Sequence, residues 1–306
     1  MNIETCTLRC ILNNPENYSE EEKIFGDYIH QGELALIVGD TNSGKTLLAG
    51  DIALANNDNL CHWDEQMNNK QRKAIIIDGE HNDSQIARRY EHLLTCTSGD
   101  LIRGRFTETE YDDCIEDKLL AIEKLIRKNS DAKLLIVDNL MCVLNNGNSV
   151  RQAQQFIQGL KRIKEMNDLT IILVAHLSKR NSKNPIEIKD IFGSSVIANY
   201  ADSIIAVGNT CEGDHIKYLK QLKSRSSIKI SEVAVLEIVE EPYLHFEFRE
   251  YDMEENLLPK KVTNRSSISL SMGEMIYKLR EEGLTVRSIA EQLNLSKSAV
   301  GRFLKN

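Results

Sequence analysis

The stretch Gly39-Asp-Thr-Asn-Ser-Gly-Lys-Thr46 constrains the fold more than any other part of the chain. It matches G-x-x-x-x-G-K-[ST] and lies between the apolar run Leu34-Ala-Leu-Ile-Val38 and a helical pattern over residues 47–55. The chemistry requires this context. A strand delivers a turn whose backbone N–H groups wrap phosphates, and the next helix aims its positive N-terminal end at them. Gly39 and Gly44 allow a backbone path that a Cβ would block. Asp40, Thr41, Asn42 and Ser43 complete the expected nucleotide cradle, Lys45 reaches the β- and γ-phosphates, and the Thr46 hydroxyl ligates Mg²⁺.

Further continuous apolar runs occur at residues 73–80, 133–139, 169–176 and 203–207, separated by helical patterns at 86–94, 121–127 and 153–166. Strands without alternation, interleaved with helices, predict an α/β fold with a mainly parallel sheet covered on both faces. Ligands in such folds bind beyond the carboxyl ends of the strands. Asp78, Glu80, Asp138 and His176 all fall at those ends. Asp138, after four apolar residues, is placed to hold Mg²⁺ partly through water, and Glu80 to polarise an attacking water. Beyond Gly213 the pattern alternates over 215–222, 228–239 and 243–248, which predicts antiparallel strands extending the sheet edge. Residues 1–30 read as a polar lead-in with a helix-like acidic patch at 19–23, and residues 56–70 as a surface loop.

The chain of 306 residues has a formal charge of −8, unevenly distributed. Residues 260–306 carry nine basic against four acidic side chains, a net of +5, which leaves −13 on the rest. A basic appendage on an acidic body suggests contact with nucleic acid. Its helical patterns at 272–282, 286–293 and 296–304 predict a three-helix module, the second helix capped by Thr285 and the third by Ser296. The expected organisation is a lead-in (1–30), an ATPase core (31–257), a linker (258–270) and a small all-α domain (271–306). No run of about 18 apolar residues appears, so no membrane helix is expected. The seven scattered cysteines form no C-x-x-C, as expected of reduced thiols in a cytoplasmic protein.

Several segments resemble known families. Ile77-Asp-Gly-Glu-His81 resembles the segment of the RecA family that carries the catalytic glutamate. Val174-Ala-His-Leu-Ser-Lys179, followed by Gly193-Ser-Ser and Ala201-Asp-Ser, resembles the RepA-type hexameric replicative helicases, which share a core with the DnaB type. Where that family often shows His-His, this chain has Ala175-His176. Lys220-Gln-Leu-Lys-Ser-Arg225 is similar to the Lys-x-Arg segment of RecA-like ring ATPases. The segment 283–300 resembles the helix-turn-helix of resolvases and bacterial regulators.

These resemblances imply a RecA-like P-loop ATPase that binds ATP and Mg²⁺, with DNA as partner and a homo-oligomer, hexameric in the family, as the working form. His176 would sense the γ-phosphate, and Lys223 and Arg225 would enter a neighbour's site. Residues 141–149 and 180–189 would be channel loops, with Lys179, Arg180, Lys183 and Lys189 on a nucleic-acid backbone; ordinary surface loops are the alternative. Arg287, Ser296, Lys297, Ser298 and Arg302 would contact DNA. The residues leave open a DNA helicase or motor in replication of DNA or of a mobile element, an ATP-switched DNA-bound regulator or loader, and a small-molecule kinase.

Overall fold

Leu34–Gly39 is buried at every position, and Lys73–Asp78 and Ala132–Asp138 at all but one, which explains why these runs show no alternation. In the computed structural model they form a nine-stranded sheet with helices on both faces. The structure describes residues 5–14, 22–58, 70–96, 101–106, 114–144, 150–191, 194–259, 270–293, 295 and 297–304.

Two short strands, β1 (Lys23–Phe25) and β2 (Ile29–His30), follow helix α1 (Leu8–Leu12) and precede the P-loop strand β3 (Leu34–Gly39) and helix α2 (Lys45–Asp58). Then come β4 (Lys73–Asp78), α3 (Asp83–Arg89), α4 (Leu93–Cys96), β5 (Ile102–Gly104), α5 (Ile115–Lys128), β6 (Ala132–Asp138), α6 (Val150–Asn167) and β7 (Thr170–His176). The sheet is completed by β8 (Ser203–Asn209), after α7 (Ser194–Tyr200), and by β9 (Ile216–Lys223), β10 (Val233–Val239) and β11 (His245–Asp252), before α8 (Glu254–Leu257).

The strand order is β11-β10-β9-β8-β3-β7-β6-β4-β5. Strands β3 to β8 pair in parallel, while β9, β10 and β11 extend the edge antiparallel. One core joins Phe156, Leu160 and Ile122 of α5 and α6 to one sheet face; the other joins Leu48, Ile52 and Phe246 to the opposite face.

Several local expectations change. The helix expected over 86–94 is two: α3 starts at Asp83, where Asn82 and Gln85 form a capping box, and ends at Tyr90. The loop expected from residue 56 begins later. Helix α2 runs to Asp58, and buried Asn56 donates to the carbonyls of Ile24 and Ile52, both at 2.9 Å. Lys23, expected in a helix-like patch, opens β1. Strand β10 starts at Val233, not 228, and β11 runs 245–252. Strand β5, only three residues long, was not anticipated. Leu258, expected in the linker, is buried in the core; linker residues 260–269 lie outside the described residues.

The chain divides into two compact units, 1–259 and 260–306. The second contains α9 (Leu270–Glu281), α10 (Val286–Gln292) and α11 (Lys297–Phe303) around Ile276, Ile289, Ala290 and Val300. Gly283, with φ of +86°, ends α9, and the Thr285 hydroxyl caps α10 by accepting from the Ser288 N–H at 3.2 Å. Gly273 is obligatory for packing: a Cβ there would lie 2.5 Å from the Phe303 ring.

Candidate active site

The parallel register aligns the chemistry at one sheet end. Gly39 pairs with His176 on one side and Val207 on the other, and Asp78 pairs with Asp138. A Cβ on Gly39 would meet the Val207 carbonyl at 2.6 Å. Gly44, at φ +94°, lies under the Phe246 ring, where a Cβ would approach to 2.6 Å. Any side chain at Gly44 therefore meets both backbone strain and a collision. Asn42 takes a positive φ of 60°, which asparagine tolerates better than most residues.

A cleft of ≈ 690 Å³ opens here, lined by Thr41, Asn42 and Gly44–Leu47, by Glu80, Asp138, Asn139 and His176, and by Arg89, Ile238 and Leu244. Ligand sites commonly have this size. The buried Lys45 ammonium donates to the Asp40 carbonyl at 2.7 Å, and burial depresses its pKa. Thr46 donates its hydroxyl to Asp138. Asp138 is 3% exposed and one of its oxygens, Oδ1, has no hydrogen-bond partner; the same is true of Ser43 Oγ. Burial, with the nearby charges of Glu80 and Asp78, pushes the Asp138 carboxyl up to about 6. An orphaned buried carboxylate oxygen beside a hydroxyl fits a divalent cation, which would supply charge neutralisation at a transferred phosphoryl group.

Glu80 is held from two sides. Its loop is fixed by Asp78, whose Oδ1 accepts the N–H groups of Glu80 and His81 at 3.0 and 3.1 Å and whose Oδ2 pairs with Arg103 at 3.1 Å. Burial works against ionisation of Asp78, but these hydrogen bonds outweigh it and hold the carboxyl below its ordinary value. The Glu80 carboxylate accepts a hydrogen bond from the Asn139 amide, which also lies 3.4 Å from His176 Nε2. Glu80 and His176 are 3.9 Å apart. Burial and then the Lys45 charge lower the His176 pKa, favouring neutral imidazole. Glu80, Asn139 and His176 thus form one hydrogen-bonded group facing the phosphate cradle.

The other anticipated residues lie elsewhere. Arg225 pairs with Asp202 at 2.9 Å and donates to the Asn199 carbonyl at 3.1 Å. Asp202 accepts the N–H of Leu34 at the start of β3. That is five residues, about 16 Å, from Gly39 at the other end. Lys223 donates to the carbonyls of Ala198 and Ala201 at 2.8 and 2.7 Å, and burial depresses its pKa. Neither residue reaches its own chain's phosphate cradle.

Arg180 overturns its expected place on a nucleic-acid backbone. Its side chain is 8% exposed, pairs with Asp40 of the P-loop at 3.1 Å and Asp190 at 3.6 Å, and donates to the Asn184 carbonyl. Lys189 is exposed but paired with Glu187; Lys179 and Lys183 are exposed. Residues 145–149 of the other expected channel loop, and Gly193, lie outside the described residues. In the second unit Arg287 is exposed and pairs with Glu291 at 3.1 Å, and Lys297 is exposed at the start of α11. Ser296 lies outside the described residues, as do the side chains of Ser298 and Arg302.

Six cleft residues escaped sequence reasoning: Leu47, His81, Arg89, Asn139, Ile238 and Leu244. Asn139 carried a signal, a polar residue beyond a buried strand. Arg89, Ile238 and Leu244 carried none, because packing alone brings them to the cleft.

A model of the AAA domain family matches residues 15–182. Among solved structures, the crystal structure of the RadB recombinase superposes with a TM-score of 0.50 and 15% identity. The match covers 74% of this chain and 93% of that one. Among curated proteins nothing matches.

Proposed function

The chain belongs to the AAA domain family, with the fold of RecA-like P-loop ATPases, and from that premise we propose a DNA-dependent ATPase that works as a ring-forming, RepA-like helicase or DNA motor. The observation that carries the reading is the Glu80–Asn139–His176 group set across from Lys45, Thr46 and Asp138. Lys45 and the cradle 39–46 bind the triphosphate, while Thr46 and Asp138 hold Mg²⁺. Glu80 polarises the attacking water, with Asn139 fixing the carboxylate that must accept its proton. Neutral His176 reads the γ-phosphate through the same amide.

Charge neutralisation at the transferred group is completed by Lys223 and Arg225 of a neighbouring copy. Two facts support that role for Arg225. It is 52% exposed, and its pair with Asp202 is of a surface kind, contributing about 0–1 kcal/mol, so exchange for a phosphate is cheap. The +5 charge of 260–306, with Arg287 and Lys297 exposed on α10 and α11, supports duplex DNA as the partner of the second unit.

Single-stranded DNA should stimulate hydrolysis severalfold, Lys45→Ala should abolish it, and the protein should displace an annealed strand when ATP is supplied. Stimulated hydrolysis without displacement would remove the motor and leave an ATP-switched DNA-bound regulator or loader. Hydrolysis indifferent to DNA would remove both.

A further inference from the structure

Asp40 puts a negative charge into a turn whose chemistry calls for positive ones. It is the second residue of the phosphate-binding stretch and adjoins Thr41, which lines the cleft. Its carbonyl accepts from the Lys45 ammonium at 2.7 Å and from the Ser43 N–H at 3.2 Å, so the residue is built into the turn. Its carboxylate is felt inside the cradle. Burial lowers the Lys45 pKa, and the charges of Asp138, Glu80 and Asp40 oppose that shift. Asp138 and Glu80 have tasks in the reaction, on the cation and on the water. The Asp40 carboxylate has none, and left alone it repels an arriving triphosphate.

One side chain answers that charge. The Arg180 guanidinium donates from Nη1 to Asp40 Oδ2 at 3.1 Å, and it is the only cation paired with Asp40 among the described residues. Its side chain is 8% exposed, so solvent and salt screen the pair little. The segment after β7 is anchored so as to hold Arg180 there. The Leu177 N–H donates to the Gly39 carbonyl at 3.2 Å, and the Ser178 N–H to the Asp190 carbonyl at 2.7 Å. Further along, buried Glu254 accepts the Ile186 N–H at 2.8 Å, and Lys220 donates to the Ile186 carbonyl at 2.9 Å. Arg180 itself closes the loop by donating to the Asn184 carbonyl and lying 3.6 Å from Asp190.

We propose that Arg180 is a positioning residue for ATP: it neutralises Asp40, so that the phosphate-binding turn can accept a triphosphate. The inference rests on the proposed nucleotide site and on no part of the DNA, helicase or ring reading. A side chain that merely anchored residues 177–191 would act through the shape of the loop. A charge shield acts through Asp40, and the two roles part when Asp40 loses its charge.

The test is binding of a fluorescent, non-hydrolysable ATP analogue with Mg²⁺ to the full chain, together with steady-state hydrolysis. Arg180→Ala should raise the analogue Kd and the KM for ATP about tenfold while kcat changes less than about twofold. Arg180→Lys, which keeps the charge, should cost less than about threefold. Asp40→Asn combined with Arg180→Ala should return the Kd to within about threefold of the parent, because neither charge is then left unpaired. Circular dichroism identifies any single variant that fails to fold, and the double variant keeps the comparison decisive in that case. Parent-like binding by Arg180→Ala, or a double variant that folds yet binds as weakly as Arg180→Ala, overturns the role of Arg180 and leaves the nucleotide site standing. A parent that binds no analogue overturns this inference and the ATPase reading together.

Discussion

Asp138 carries the largest electrostatic cost in the cleft. Its pKa of about 6, against an ordinary 3.8, means that the folded chain binds more protons than the unfolded chain between those values. Stability therefore falls as pH rises through that window. Above it, the ionised buried carboxylate costs the nucleotide-free protein about 3 kcal/mol. Asp138→Asn should raise the melting temperature at pH 7.5, without nucleotide or metal, by roughly 4–8 °C, while abolishing hydrolysis. The gain should shrink at pH 5, where the native carboxyl is protonated. Thermal melts at the two pH values check this, and an equal shift at both would contradict the assignment. Asp138 and the cradle 39–46 were legible because a parallel strand must end in the ligand-binding crevice. Asn139 was not, although it is the next residue: its amide matters only because β4 and β7 bring Glu80 and His176 to either side of it. Arg180 was misread for a related reason, since its charge was visible but its partner Asp40 lies 140 positions away.

Among the elements, the short segment from β4 to α3 positions the glutamate. Asp78 binds the backbone of the Glu80 turn and anchors Arg103 of β5, which donates in turn to the His81 carbonyl. Asp78→Asn keeps the shape but loses the charge that Arg103 requires. The Glu80 loop should loosen, lowering kcat about tenfold while the KM for ATP changes less than twofold. Steady-state kinetics separate the two parameters, and a rise in KM with kcat unchanged would mean that the loop binds nucleotide and does not orient the glutamate. The strands of this region were legible as elements because each exceeds five residues and is buried on both faces. Strand β5 was not: it contributes Arg103 from three residues, all half-buried, too few to show a period. The split between α3 and α4 was likewise hidden, since apolar spacing continues across Tyr90.

For the whole molecule, sheet topology separates the two halves of the proposed catalytic apparatus. The phosphate cradle lies at the carboxyl ends of β3 and β7, while Arg225 is tied beside Asp202 where β3 begins. Glu80→Ala and Arg225→Ala should each lose at least 90% of hydrolysis, and an equimolar mixture should regain a measurable fraction. In the mixture some interfaces join an intact glutamate to an intact arginine. Titrating one variant into the other tests this, and flat activity at every ratio would confine catalysis to single chains. Strand class and the antiparallel extension were legible from the switch between continuous and alternating patterns. The packing of β11 against α2 was not, because no local signal records a contact between Gly44 and Phe246.

That contact has a consequence for how the protein is made. The P-loop is capped by a ring about 200 residues further along the chain, and the Phe246 N–H is held by Asp51 of α2 at 2.9 Å. At roughly 5–20 residues per second of synthesis, the cradle emerges some 10–40 s before its cap. A nascent chain therefore presents the phosphate-binding turn long before it can shape the cleft around a nucleotide. Ribosome-bound chains ending short of β11 would lack the finished pocket, so the enzyme is born without its fuel.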